Sequence, residues 1–315
     1  MFRKLNYQWQ RLLDFLTRGI WELETQTFSK MKARLLTDLK VVLIIARDFG
    51  RHNLGGEAAS LCYFTAMAFI PLIAVVFAVT GGLGLDTYLR ELTFHYFSSN
   101  SEIVALVMRF ADNIVASTEN GIYGIISFLV FVWLVVWLML NVESSFNRIW
   151  KVDVSRVLWK RILAYIAILI LSPFVLLLFL SITVNLTQFM DGWKEVIPGI
   201  HYVKPFLSWL ISYGVILLVM TALYKFIPNA RVHFRSAFGA ALFAALAFIV
   251  IQYLYLETQF FVSRLNSVYG AFAALPLFMA WMNIEWSIIL TGAELSYALQ
   301  FVHNPQFKFI KETNE

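Results

Sequence analysis

Charge is scarce in this chain. Of its 315 residues only 14% are Asp, Glu, Lys or Arg, against 60% hydrophobic. A soluble domain carries nearer a quarter charged residues, so this one has too few to coat a globular surface of its size. Cysteine is nearly missing: Cys62 stands alone, which excludes a disulfide framework and a thiolate metal site. The five histidines, His52, His95, His201, His233 and His303, lie far apart. None stands in an H-E-x-x-H pair or another metal-ligand spacing. The chain has neither a P-loop nor a G-x-S-x-G elbow. No enzyme, no cofactor and no metal site is therefore expected. The opening MFRKLNYQWQRLLDF is too polar for a cleavable leader and is followed by no small-residue cleavage site. The first spanning segment is expected to act as an uncleaved signal anchor.

Long apolar runs take the place of charge. Six stretches are long enough to cross the ~30 Å hydrocarbon core as helices: 58–83, 122–140, 162–184, 206–224, 237–255 and 273–293. A membrane barrel would alternate in segments of about ten residues, whereas these runs are continuous. The expected fold class is all-α, a polytopic membrane bundle of about six transmembrane helices. Three parts follow: an amphipathic N-terminal segment (1–57), a membrane domain (58–300) with an external loop (84–121), and a tail (301–315).

Lys and Arg in the loops set orientation. Twenty fall on one side of the expected bundle, including ten in residues 1–57, and five on the other. The N-terminus, the loops after the second and fourth spans, and the C-terminus are thus expected in the cytoplasm. This bias also accounts for the net charge of +5. The basic loops lack the aromatic interleaving of a nucleic-acid site, so nucleic acid is not an expected partner. Membrane lipids, anionic ones included, are; the sequence leaves the oligomeric state open.

The N-terminal segment carries two amphipathic stretches. Leu5, Trp9, Leu12, Leu13, Leu16 and Ile20 recur at helical spacing, as do Leu35, Leu36, Leu39, Val42 and Leu43. Each fits an interfacial helix lying on anionic lipid or a cytoplasmic helix packing on the loops. The loop 84–121 holds a helical pattern over 102–115, suited to a cap over the bundle.

Polar residues inside apolar runs are costly to bury and so mark candidate sites. Glu285 and Asn283 sit near the middle of the sixth span. Glu285 suits a substrate or proton site, or a structural hydrogen bond that locks two helices. The run NVESSFNRIW (141–150) ends the second span with a polar cluster. Glu143 shares a helix face with Asn147, and Ser144 with Arg148. Glu57 precedes the first span and is a further candidate. Arg148, Arg231 and Arg235 form a basic rim suited to anionic headgroups. Pro71, Pro173 and Pro276 interrupt spans.

On these motifs the sequence resembles the YihY/BrkB family of bacterial inner-membrane proteins over roughly residues 35–300. The resemblance rests on EAASLCYFTAMAFIPL (57–72), FNRIW (146–150), LYKFIPNARV (223–232) and VYGAFAALPLFMAW with IILTGAEL (268–281 and 288–295). Tyr63, Pro71, Asn147, Trp150, Tyr224, Pro228, Arg231, Tyr269, Gly270, Pro276, Trp281, Gly292 and Glu294 match the family pattern; Asn283 and Glu285 are less typical of it. The resemblance implies a six-helix inner-membrane protein, with some relatives linked to serum resistance or envelope lipid export. The ribonuclease label once attached to the family finds no metal-binding histidine cluster in this sequence. The expected function is a transporter or lipid-translocating protein acting on anionic envelope lipid or a polar solute. The alternative is a non-transporting scaffold for envelope assembly.

Overall fold

The structure is a computed structural model that describes residues 29–82, 122–152, 200–263 and 267–302, with isolated positions at 20, 109, 159, 163 and 165. These residues form six helices and no strand: α1 (Lys30–Arg51), α2 (Leu54–Gly82), α3 (Ile122–Ile149), α4 (Ile200–Phe226), α5 (Phe234–Ser263) and α6 (Ser267–Phe301). Five of the six expected spans correspond to α2 through α6. Apart from those isolated positions, the third span, the amphipathic stretch before residue 28 and the external loop lie outside the described residues.

The fold is a membrane helix bundle. By length and composition, Trp209–Phe226 and Phe234–Thr258 are apolar enough to cross a bilayer. Large apolar side chains cover the outside: Leu129, Trp133 and Trp137 on α3, Leu218 and Val219 on α4, Phe243, Leu246 and Val250 on α5 are all exposed. Inside, Leu61, Phe146, Ile149, Tyr224 and Leu290 pack with a run of small residues from α5. On α5, Ala237, Ala241 and Ala245 follow one another at four-residue spacing, as do Ala240 and Ala244, and all are buried. This small-residue face lets α6 approach closely, where dispersion rather than water exclusion drives association. Among the described residues the α5–α6 contact is the most extensive, and α6 also touches α1, α2, α3 and α4. Ala241→Leu is therefore expected to wedge α5 from α6 and destabilise by roughly 1–3 kcal/mol through overpacking. Leu242→Ala, on the exposed face beside it, should change little. Thermal unfolding in mild detergent compares the two.

The helices outrun the apolar stretches that mark them. α3 continues to Ile149 and α6 to Phe301, past residues 140 and 293 where their apolar runs end. At 1.5 Å per residue, the 35 residues of α6 reach about 52 Å, well beyond ~30 Å of hydrocarbon. Hydropathy marks the lipid crossing and not the helix, and Glu, Ser, Asn and Arg continue a helix without difficulty once started.

Two backbone devices shape the polar end of the bundle. Asn53, at φ 48°, takes the left-handed conformation that Asn tolerates better than most non-glycine residues. It ends α1, and its carbonyl accepts the Glu57 amide in the first turn of α2 (3.0 Å). Lys151, at φ 53°, closes α3. The Val152 amide reaches the Asn147 carbonyl (2.9 Å) and the Lys151 amide the Arg148 carbonyl (3.1 Å), a Schellman arrangement.

α1 uses its two sides differently. Val41 and Ile44 bury against Ala298 of α6, with Leu295, Leu299 and Val302 around them. Met31, Leu35, Leu39 and Val42 stay exposed. The helix packs through Val41, Ile44 and Asp48, whereas Leu35, Leu39 and Val42 of the stripe legible in the sequence face outward.

Candidate functional site

Polar side chains converge where the C-terminal ends of α1, α3 and α6 meet the start of α2 and the α4–α5 connection. Glu57 stands in the first turn of α2. Its carboxylate takes the Arg148 guanidinium on Oε1 and the Ser145 hydroxyl on Oε2, the latter at 2.7 Å. Ser145 is buried while Arg148 remains half exposed. The α3 spacing sorts the run NVESSFNRIW: Glu143 and Asn147 share the buried side, Ser144 and Arg148 the exposed one.

Asn147 reaches across to the α4–α5 connection, where its Oδ1 accepts the Asn229 amide (2.7 Å). Two other side chains hold the same connection. Gln300 of α6 accepts the His233 amide on Oε1 (2.8 Å) and donates through Nε2 to the Arg231 carbonyl (3.0 Å). Lys225 donates to the Val232 carbonyl (3.3 Å). Residues 227–233 are thus held from three directions, and the Arg231 and Arg235 side chains are exposed. Phe226 and Phe234, exposed at the two ends of the connection, add aromatic surface.

A third group lies under α1. Asp48, His52 and Glu294 place one ligand-capable atom each within 4.8 Å of one another. His52 Nδ1 stands 3.2 Å from Glu294 Oε2. Glu294 is fully buried and Asp48 nearly so. Burial pushes the His52 imidazole below its ordinary value. Asp48 opposes that shift, while Lys151, Arg51 and Arg148 add to it. The Lys151 ammonium sits 5.1 Å from the Tyr297 ring centroid.

Glu285 belongs elsewhere. It is nine residues before Glu294, about 13 Å along the helix. It is buried, and its Oε1 accepts the Trp281 indole N–H one turn back at 2.9 Å. Asn283 is half-buried, and its carbonyl accepts the Ser287 hydroxyl (2.8 Å). The structure therefore brings Glu57, Glu143, Asn147, Arg148 and Arg231 to one end of the bundle. Arg235 follows in the first turn of α5, and Glu285 and Asn283 lie deep and apart. Sequence reasoning missed Asp48, His52, Asn229 and Gln300 as site residues, whereas Ser145 stood within the polar run NVESSFNRIW. Asp48 and His52 stand four apart on a helical pattern, a visible signal, but Glu294 is 242 residues from His52 and nothing local joins them.

Comparison with known proteins places this chain in a family. A protein of Alcanivorax borkumensis named UPF0761 membrane protein is 33% identical over 280 residues, covering 85% of this chain and 62% of its own length. A Janthinobacterium protein of the same name is 30% identical over 82% of this chain and 59% of its own length. An Alteromonas mediterranea UPF0761 membrane protein is 28% identical, over 88% of this chain and 92% of its own length. The chain thus spans about three fifths of the first two relatives. No solved structure matches it. The family model described as Virulence factor BrkB matches residues 45–314, and with the relatives' shared name it shows that this chain is a membrane protein of the YihY/BrkB family.

Proposed function

We propose that this chain is a transporter or lipid-translocating protein of the bacterial inner membrane that handles anionic envelope lipid. It assigns the chain no covalent chemistry. Both termini and the polar end described above lie in the cytoplasm, on the strength of twenty basic residues against five. Arg231 and Arg235 then face the anionic leaflet.

The observation that carries this reading is the pinned α4–α5 connection. A flexible loop that presents arginines must order itself on binding and lose affinity to that ordering. Here Asn147, Gln300 and Lys225 hold residues 225–233 in place beforehand, and the exposed Arg231 and Arg235 stand on a set frame. The adjacent Glu57–Arg148 pair provides a polar lining at the same end. An arginine suits a phosphate headgroup through its forked donors.

Each basic residue near an anionic surface contributes about 1 kcal/mol. Arg231→Ala combined with Arg235→Ala should therefore weaken retention of anionic lipid by about 30-fold. Native mass spectrometry of the protein extracted gently from its own membrane reads the retained lipid directly. Retention in the wild type and loss in the double variant is the expected result. Equal retention in both removes the rim from the reading. A wild type that retains no lipid, together with no labelling of a cysteine at Asn283 by a water-soluble thiol reagent, favours a dry, non-transporting scaffold instead.

A further inference from the structure

We propose that Asp48, His52 and Glu294 form a binding site for a single divalent transition-metal cation, of which zinc is the natural probe, that joins the end of α1 to α6. The proposal stands apart from lipid handling and survives its failure.

Three donors of suitable chemistry converge. Two carboxyls and one imidazole offer ligand atoms that lie within 4.8 Å of one another, a span one ion can bridge at ~2.0–2.2 Å per bond with modest side-chain motion. A site of one imidazole nitrogen and two carboxylate oxygens suits zinc or manganese rather than copper(I) or an iron–sulfur cluster, which prefer thiolates. Local structure fixes two of the three. Asp48 and His52 are four residues apart, on one face at the end of α1, and the His52 amide bonds back to the Asp48 carbonyl at 2.8 Å. Glu294 enters from α6, which α1 contacts directly.

The independent observation is Glu294 itself. Its side chain is fully buried, and one of its oxygens, Oε1, meets no donor, while Oε2 faces His52 and the carboxyl lies against that of Asp48. A buried carboxylate oxygen without a donor is expensive, and a cation shared with Asp48 relieves it. The same cation relieves the repulsion between the two carboxylates. The site also lies at the C-terminus of α1, the end of a helix that favours positive charge. The basic groups in its field, Lys151, Arg51 and Arg148, oppose a cation, and Lys151 is partly engaged by the Tyr297 ring. The proposal therefore expects micromolar rather than picomolar binding.

The chemical consequence is a clamp. α1 otherwise rests on α6 through Val41 and Ile44. A metal bridge adds a bond from its last turn to Glu294 and sets the angle at which its exposed apolar side leaves the bundle.

The experiment is a zinc titration of the full chain in mild detergent after chelation, read by isothermal calorimetry and by metal content per chain, with cobalt substitution read in the visible. The expected result is one zinc per chain, visible cobalt bands of nitrogen–oxygen ligation, and at least a tenfold weaker affinity in each of Asp48→Asn and Glu294→Gln. Glu285→Gln, a buried carboxyl elsewhere on α6, should bind zinc as the wild type does. A wild type that takes up neither zinc nor manganese overturns the proposal and leaves a carboxyl pair that shares a proton. Zinc uptake unchanged in both Asp48→Asn and Glu294→Gln also overturns it, because the metal then sits elsewhere. Since the first reading uses the unaltered protein, misfolding of a variant does not shield the proposal.

Discussion

Gly292→Ala is expected to destabilise the bundle by roughly 1–3 kcal/mol or more, the range for overpacking a close helix contact. A Cβ built at Gly292 on α6 would overlap the Tyr224 hydroxyl. It would also lie 2.7 Å from that ring's Cζ and 3.0 Å from the Ala244 Cβ on α5. Three helices therefore meet at this one missing methyl. Tyr224 has little room to withdraw: it is fully buried, its ring stacks on Phe146 with centroids 6.3 Å apart, and its hydroxyl faces the Met220 sulfur at 3.8 Å. Relief must come from moving a helix. Tyr224→Phe removes the overlapped oxygen, so Gly292→Ala should cost less in that background, with a coupling of about 1 kcal/mol between the two sites. Thermal unfolding in one detergent across the four proteins measures that coupling. Equal melting of Gly292→Ala and wild type would show that α4 and α6 do not approach as described.

The same residues show what a sequence discloses and what it withholds. The helices α2 to α6 were legible because a lipid-facing turn must be apolar, a constraint written into consecutive residues. The faces of α3 were legible too: Glu143 and Asn147 are buried together and Arg148 is exposed, as four-residue spacing requires. The packing of α1 was not. Its exposed stripe Met31, Leu35 and Leu39 is as apolar as its buried pair Val41 and Ile44, and hydrophobicity does not tell a lipid-facing side from a helix-facing one. Long-range partnerships were also hidden. Glu57 meets Arg148 across 91 residues, and His52 meets Glu294 across 242. Glu294 was legible as a polar end to an apolar run, but its neighbours were not. Glu285 invited attention as an intramembrane carboxyl, yet its bond to Trp281 stays within its own helix. That bond neither locks two helices nor reaches the basic rim.

Asn147 ties these levels together. Asn147→Leu should leave α3 intact and loosen the α4–α5 connection, because the Asn229 amide loses its Oδ1 acceptor. The amide is partly buried, so removing its acceptor costs up to about 1–3 kcal/mol, the range for a fully buried group. At the middle of that range, the local opening that governs amide exchange becomes roughly tenfold or more easier. Hydrogen–deuterium exchange over residues 227–233 should therefore speed up, while the α5–α6 interface stays protected. Asn147→Asp keeps an acceptor at the same place and should keep most of the protection. If the connection's rigidity is what prepares Arg231 for a headgroup, Asn147→Leu should also weaken anionic-lipid retention with both arginines still present. The loss should be smaller than that from removing them, since the charges remain and only their frame is gone. Unchanged exchange in Asn147→Leu would assign the frame to Gln300 and Lys225. Faster exchange with undiminished lipid retention would separate the loop's rigidity from its charge, leaving electrostatics alone to hold the lipid.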